Sequence, residues 1–408
     1  MSRYAFPEVT VRPPAEPMTV HVVANGDLRL TTNVKTWAKQ QEVEAQFGAA
    51  VEALGWRVER AHGVNPETGH GFIDCQWRGM EVFRSIPKDA PLVVVEAVWQ
   101  YSHHLLHGLR DHEGPILVVA NFAGDFPGLV GLLNLTGSLT KMDKPHSALW
   151  SKDFTDDWSR TKLAEWLATG RIEHDESHVR DLPELPHAEE VRLGRALAAQ
   201  LKNDKAIVMM FDEYCMGMYN ALIDDEMLNP TGVYKERVSQ SALVAEMRRV
   251  TDDEAAAARA WLDAKGMKFY IDDEGDVKEC LTSAQVHEQM KMYVAAVRMA
   301  WDFRADVVGI QYQQGLKDMV AASDLVEGLL NNVDRPPVLA RDGSAVLYEG
   351  LAIPCANEVD QGVAVDALVT NRIWLAMGLD PATTLHDVRW GDDWGDDFVW
   401  VLEISGSV

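Results

Sequence analysis

The sequence predicts an α/β protein with two doubly wound, mainly parallel sheets. Short apolar runs rich in β-branched residues, such as PLVVVEAVW at 91–99 and PILVVANFAG at 115–124, contain polar residues or glycine at their ends. Segments with apolar residues at helical spacing alternate with these runs, as at 34–54. Nearly continuous apolar strands that alternate with helices indicate parallel sheets covered on both faces.

The first predicted domain covers residues 1–170. Its first strand is MTVHVVANG at 18–26, which is followed by the helix at 34–54. The strands at 91–99 and 115–124 continue the same alternation. We therefore expect a sheet of the Rossmann or flavodoxin type in this domain.

A polar linker and a second domain are predicted next. Residues 171–190 contain acidic clusters, two prolines and no apolar period, which is typical of a surface connection. The second domain, at 191–378, has strands in KAIVMMF, DVVGIQYQ and GLAIPCANE, and its last helix ends at Gly378. Residues 379–408 are predicted to begin a third, β-rich C-terminal domain that is truncated.

Composition restricts the expected partners and compartment. The formal net charge of −25 argues against nucleic acid and anionic membrane surfaces, because a negative field repels phosphate. The four cysteines are far apart in sequence and form no CxxC motif, which favours a reducing compartment. No apolar run approaches the roughly 18 residues of a membrane-spanning helix, and the N-terminus lacks a signal-peptide pattern. We expect a cytoplasmic protein.

Two carboxylates follow predicted elements late in the chain. Glu358 lies at the carboxyl end of the strand GLAIPCANE, and Asp387 lies in LHDVRWG after the last helix. Because the carboxyl ends of parallel strands form the ligand-binding edge of an α/β sheet, both side chains are predicted to lie at that edge. Two such carboxylates could share a divalent cation. Their spacing also allows surface-exposed or ion-paired side chains.

Several short blocks occur in series between about residues 205 and 390. They are IVMMFDEYCMGMYNAL, VVGIQYQQGLKDMVAASDLVEGLLNN, IPCANEVDQG and LHDVRWG, with weaker blocks VVVEAVWQYS and VVANFAGDFPGLVGLLNLTGSL before them. In this order they resemble the L-fucose isomerase and L-arabinose isomerase family. The resemblance implies a homo-oligomer, a trimer or hexamer, whose active sites lie near subunit boundaries.

The resemblance also implies site residues. Glu358 and Asp387 would bind Mn²⁺, or another divalent cation, and act as the catalytic acid and base. The substrate-binding residues would be Gln311 and Gln313 of GIQYQQG, Met216 of CMGM, and Trp99, which family members present to a neighbouring subunit's site. Packing in the core is the alternative role for Met216 and Trp99. The family's third metal ligand, a histidine of a C-terminal domain, has no counterpart here, and His386 would point away from Asp387 on an extended segment.

The implied activity is a metal-dependent intramolecular oxidoreductase that interconverts an aldose and a ketose through an enediol. The sugar would be similar to L-fucose, D-arabinose or L-arabinose. Such a reaction needs a proton moved between neighbouring carbons and a stabilised negative charge on two oxygens. An epimerase or lyase that uses the same metal-bound enediolate is an alternative. A non-catalytic sugar-binding protein is another.

The segment YSHHLLHGLRDH offers a different metal hypothesis. His103 and His107 are spaced to face one way on a helix, and Glu96, Asp111 or Glu113 could supply a third ligand. An ordinary crossover helix at a surface or an interface is the preferred interpretation.

Overall fold

The computed structural model describes residues 5–99, 101–183, 187–276, 280–384 and 386–403. The chain divides into two compact units. Unit 1 comprises Met1–Arg180, Gly217–Asn220 and Asp387–Glu403, and unit 2 comprises Asp181–Met216, Ala221–His386 and Ile404–Val408. Each unit contains one parallel sheet.

Unit 1 contains a five-stranded parallel sheet with the strand order β2-β1-β3-β4-β5. Its elements in chain order are β1 (Thr19–Val23), α1 (Leu30–Ala53), β2 (Arg57–Arg60), α2 (Gln76–Ser85), β3 (Leu92–Glu96), α3 (Leu106–Asp111), β4 (Ile116–Asn121), α4 (Gly128–Lys141), β5 (Ser147–Ser151) and α5 (Asp157–Thr169).

Successive side chains of the unit 1 strands enter two different cores. In β3, Leu92 and Val94 pack with side chains of α2, α3 and α4, whereas Val93 and Val95 pack with side chains of α1 and α5. A strand directs alternate residues to opposite faces, so helices cover both faces of the sheet. This double burial explains why the strand is a continuous apolar run.

Unit 2 contains a four-stranded parallel sheet with the order β7-β6-β8-β9. Its elements in chain order are α6 (Glu189–Asp204), β6 (Ala206–Phe211), α7 (Asp225–Leu228), β7 (Val233–Val238), α8 (Gln240–Met247), α9 (Asp252–Ala264), α10 (Ser283–Phe303), β8 (Val307–Ile310), α11 (Leu316–Met319), α12 (Asp324–Leu330), β9 (Cys355–Asn357) and α13 (Gln361–Met377).

Two faces are buried in unit 2 as well. Met209 and Phe211 of β6 pack with α8, α9, α10 and α12, and Val208 and Met210 pack with α6 and α13. The helices α9 and α10 begin with capping boxes, in which Thr251 and Thr282 bond the first turn reciprocally with Glu254 and Gln285. The predicted α/β class with parallel sheets is therefore confirmed.

The strand β9 is much shorter than the predicted strand GLAIPCANE. The backbone N–H of Ile353 donates to the carbonyl of Leu330 at 2.8 Å, outside the sheet, and pairing with β8 begins only at Cys355. The carbonyl of Pro354 still accepts from the N–H of Val308 in β8 at 2.9 Å, so the segment joins the sheet only at its last residues.

Residues 379–408, predicted to begin a third domain, contain an antiparallel hairpin. Its strands are β10 (Asp387–Trp394) and β11 (Asp397–Glu403), and both belong to unit 1. A register shift between Val388 and Trp390 marks a bulge. Residues 404–408 of this predicted domain and 184–186 of the predicted linker lie outside the described residues.

The predicted crossover helix before β4 is present as α3, but it does not carry both His103 and His107. Ser102–His104 forms a 3-10 turn, and α3 begins only at Leu106. The ring Nε2 of His107 lies 3.0 Å from the carbonyl oxygen of His104. The two histidines therefore do not share one regular helix face.

No helix in the described segments is both long enough and apolar enough to cross a lipid bilayer.

Candidate functional site

The strand order of unit 2 identifies one edge of its sheet as a place for a ligand. The chain leaves β6 for β7 on one side and then crosses to β8 on the other side. Loops after β6 and β8 therefore diverge at the carboxyl edge, and such a divergence is where α/β sheets form their binding crevices. The loops there begin with Asp212 and Gln311, and Glu358 follows the adjacent β9.

Backbone strain is concentrated at this edge. Of the eleven non-glycine residues with positive φ in the described part of the chain, five follow β6 or β9, namely Asp212, Cys215, Met216, Glu358 and Val359. Val359, at φ 67°, is β-branched, and this conformation is rare for such residues. Strain of about 1–3 kcal/mol per residue is typically retained at functional sites. The clustering therefore points to the carboxyl edge.

A glycine in β8 permits the tight turn after β9. A Cβ atom at Gly309 would lie 3.2 Å from the Cα atom of Val359. The turn is closed by the N–H of Asp360, which donates to the carbonyl of Asn357 at 3.1 Å. The backbone of Glu358 is thereby fixed at the end of the strand.

Three of the predicted site residues come together here. The Nε2 atom of Gln313 donates a hydrogen bond to Oε1 of Glu358. The backbone N–H of Gln313 donates to Oε1 of Gln311 at 2.8 Å. The structure thus brings Gln311, Gln313 and Glu358 into one network.

Tyr312 and Asp324 extend this network. Nε2 of Gln313 lies 3.3 Å from the hydroxyl oxygen of Tyr312, and that hydroxyl donates to Oδ1 of Asp324 at 2.8 Å. Sequence reasoning missed both residues. The available signal was the pair of carboxylates at i and i+3, Asp324 and Glu327, in an otherwise apolar short helix.

Two buried polar atoms at the strand ends have no hydrogen-bond partner among the described residues. They are Nε2 of Gln311, whose residue is 1% exposed, and Oδ1 of Asn357, whose residue is 8% exposed. Nearly all buried polar groups in folded proteins are satisfied, so such atoms need an explanation. A hydroxyl group both donates and accepts, and it could satisfy either atom.

The carboxyl groups at this edge have perturbed acidities. Burial raises the pKa of Asp324 to about 6, against the opposing hydrogen bond from Tyr312. Burial also raises the pKa of Glu327 well above its usual range, and the charges of Asp324, Glu358 and Asp360 raise it further. Both effects favour the neutral form of the Glu327 carboxyl group.

Cys215 lies in the strained turn after β6. Its Sγ atom donates to Oδ1 of Asp360 at 2.6 Å. Burial first, and then the charge of Asp360, raise the pKa of the Cys215 thiol well above its usual value. The thiol is a hydrogen-bond donor here and not an activated nucleophile. The neighbouring Met216 is 2% exposed, and its predicted contact with a sugar stays a prediction.

Asp387 and Trp99 belong to unit 1. Oδ2 of Asp387 lies 3.1 Å from Nη2 of Arg389. Trp99 is half-buried, and its Nε1 donates to the sulfur of Met218 at 3.2 Å. The predicted meeting of Asp387 with Glu358, and the predicted role of Trp99 at a subunit boundary, stay predictions.

No group of three or more His, Cys, Asp or Glu side chains within the described ranges could hold a metal. Glu358 supplies a hard oxygen of the kind that Mn²⁺ prefers, but the described residues of unit 2 do not complete a ligand set around it. His386, weighed as a substitute ligand, has its Nε2 2.7 Å from Oγ1 of Thr384.

No protein-family model matches the chain, and no curated protein matches its sequence. The likeness to sugar isomerases therefore rests on the blocks of sequence that carry it.

Proposed function

We propose that unit 2 binds an open-chain sugar at the carboxyl edge of its sheet and that the protein interconverts an aldose and a ketose. The observation that carries this proposal is the Glu358 carboxylate, which is fixed by a strained turn and accepts a hydrogen bond from Gln313. The order of the sequence blocks supports the same class of reaction. We also propose that the two sheets are of the Rossmann or flavodoxin type.

Glu358 is assigned the proton transfer. A ketol isomerisation removes a proton from the carbon beside a carbonyl and returns it to the neighbouring carbon. The Gln313 amide donates a hydrogen bond to Oε1 of Glu358 and thereby orients the carboxylate. General base catalysis of this kind contributes roughly 10²–10⁴-fold in rate.

Gln311 and Asn357 are assigned to sugar hydroxyls. Each has a buried atom that lacks a hydrogen-bond partner in the described part of the chain, one a donor and one an acceptor. A polyol supplies both functions from each hydroxyl group. Buried polar groups left unpaired reject ligands that lack a matching group, which gives selectivity for sugars over apolar molecules.

The proposal retains Mn²⁺, or another divalent cation, because the resemblance implies it, with Asp387 as its predicted second carboxylate. When bound, such a cation would polarise the two reacting oxygens. The proposal also retains a homo-oligomer, a trimer or hexamer, and a cytoplasmic location, both predicted from the sequence.

The first test is a screen of aldopentoses and deoxyhexoses for ketose formation in the presence of Mn²⁺. Mn²⁺ and sugar binding are measured in parallel by calorimetry on the wild type and on Glu358→Gln. We expect turnover by the wild type and a loss of about 10²-fold or more in the variant. Glu349→Gln, an exposed residue of the same type, is the matched control and should retain turnover.

Two other outcomes contradict the catalytic proposal. Sugar binding without turnover, unchanged by Glu358→Gln, would support the second candidate, a non-catalytic sugar-binding protein. The observation that favours this candidate is the pair of unpartnered buried atoms among the described residues, because they recognise hydroxyls without needing chemistry. Turnover to an epimer or to cleavage products would instead indicate an epimerase or a lyase.

A further inference from the structure

We propose that Asp324 and Tyr312 are positioning residues that hold the Gln313 amide in place on Glu358. This inference rests on the proposed function only for the role of Glu358. The four side chains come from three separate places in unit 2, namely the loop after β8, the first turn of α12 and the turn after β9.

The direction of each hydrogen bond defines the arrangement. Tyr312 has one hydroxyl proton, and it donates this proton to Oδ1 of Asp324 at 2.8 Å. The lone pairs of the hydroxyl oxygen are then available to Nε2 of Gln313, which lies 3.3 Å away. The same Nε2 donates to Oε1 of Glu358. One amide nitrogen with two N–H groups thus serves two oxygen acceptors.

Asp324 determines which way the hydroxyl of Tyr312 points. As an anion it can only accept, so the phenol proton points towards it and the phenol oxygen accepts from Gln313. As a neutral acid it can donate to the phenol oxygen. That donation competes with Gln313 for the same lone pairs and weakens the position of the amide on Glu358.

The groups around Asp324 favour a change in its protonation within an accessible pH range. Tyr312 faces it from the loop after β8, and Glu327 lies on its own helix. From α10, the uncharged Gln289 contacts the same turn, because its Oε1 accepts from the N–H of Leu325 at 3.1 Å. Burial raises the pKa of Asp324 to about 6.

Further acidic groups surround Tyr312 and Glu327. Glu358 acts on both of them, and Asp360 acts on Glu327. A negative surrounding favours a neutral Asp324 as the pH falls. The contact between Gln313 and Glu358 is therefore expected to weaken as the pH falls through about 6.

The test follows the Gln313 side chain directly. The protein is labelled with ¹⁵N in its glutamine side chains, and the Gln313 amide signal is assigned by its loss in Gln313→Glu. We expect this signal to move with an apparent pKa of about 6 in the wild type. In Asp324→Asn and in Tyr312→Phe, the step near this pH should be absent. Asp334→Asn, an exposed aspartate of unit 2, is the matched control and should retain the step.

Two results would overturn the inference. One is a Gln313 signal that does not titrate in the wild type. The other is a step that persists unchanged in Asp324→Asn or Tyr312→Phe. Circular dichroism shows which variants fold, and because two variants test the same step, failure of one to fold leaves the inference open to refutation by the other.

The readout separates this inference from the proposed function. The glutamine signal reports the positioning network without any sugar, so a protein that neither binds nor converts sugars can still confirm or refute it. If the protein does turn over a sugar, the acidic limb of the kcat profile should change in Asp324→Asn and remain in Asp334→Asn. A purely structural role of Asp324 would lower kcat at every pH and leave the shape of the profile unchanged.

Discussion

The two sheets place a carboxyl group at their carboxyl edges in contrasting environments. In unit 1, Glu96 ends β3 and is fully buried, and neither of its oxygens has a partner among the described residues. In unit 2, Glu358 follows β9, is half-buried and accepts a hydrogen bond from Gln313. Burial alone raises the pKa of Glu96 well above its usual range. The same architecture thus gives one closed carboxyl group with a raised pKa and one supported, accessible carboxylate.

Glycines of α4 explain how the unit 1 edge is closed. A Cβ atom at Gly131 would lie 3.1 Å from Oε2 of Glu96, and one at Gly128 would lie 1.9 Å from Oδ1 of Asn121. The helix therefore packs directly on the strand ends and leaves no room for a ligand at these positions. In unit 2, strained turns occupy the corresponding strand ends. A position at the carboxyl edge thus identifies a candidate only when the packing leaves the carboxylate accessible.

The largest expected effect is a difference in turnover between variants of the two carboxylates, Glu358 and Glu96. We expect Glu358→Gln to lower kcat by about 10²–10⁴-fold, since the proposed general base is removed. Glu96→Gln should leave kcat within a few-fold of the wild type, since its side chain is closed off. Both variants are compared by kcat and KM with the sugar that the screen identifies. Equal losses in the two variants would show that the comparison between the edges is wrong.

The second effect concerns stability and its dependence on pH. The folded-state pKa of Glu96 is raised, so the stability linked to it is fully present below the unfolded-state pKa and is lost as the pH rises towards the folded-state pKa. Glu96→Gln removes this loss because glutamine does not ionise.

We therefore expect Glu96→Gln to match the wild type at acidic pH and to exceed its free energy of unfolding at neutral pH. Urea denaturation at a series of pH values measures this difference. A difference that is constant with pH would mean that folding does not raise the pKa of Glu96.

The smallest effect is expected from the glycines that close the unit 1 edge. Gly128→Ala places a methyl group against Asn121 and 2.7 Å from the carbonyl oxygen of Glu96. Overpacking of this kind costs about 1–3 kcal/mol of unfolding free energy. Gly48→Ala in α1 is the matched control, because a Cβ atom there has no neighbour within 4 Å. The control should be more stable than the wild type by about 0.5–1 kcal/mol. A Gly128→Ala variant with the same free energy of unfolding as the wild type would show that α4 is not closely packed at this edge.

Much of the fold could be predicted because a buried strand can be recognised from its own run of apolar residues. PLVVVEAVW and PILVVANFAG are apolar without alternation, which requires burial on both faces and hence helices on both sides. The strand at GLAIPCANE is shorter than predicted, because an apolar residue such as Ile353 is buried without pairing with β8. Apolar character indicates burial, but it does not indicate which carbonyl accepts a hydrogen bond from a given N–H.

The candidate site could be predicted only in part. Gln311, Gln313 and Glu358 were named from the sequence, and the structure brings them together. Asp324 was not named, because nothing in the sequence shows that Tyr312 donates to it across the intervening loop and helix start. The strand order decides such contacts, and strand order is not a local property.

The sequence by itself determined the α/β class and the most apolar parallel strands, such as those at PLVVVEAVW and PILVVANFAG, since hydrophobic periodicity is set residue by residue. Only the tertiary structure decided that the segment Gly217–Asn220 belongs to unit 1, where Oγ of Ser102 donates to the carbonyl of Gly217 at 3.0 Å, 115 residues away in the chain. It also decided that Glu96 is closed off whereas Glu358 is supported by an amide. The physical reason is that a side chain's acidity and access depend on its neighbours in space, and these neighbours are fixed by how strands are ordered and helices pack on them.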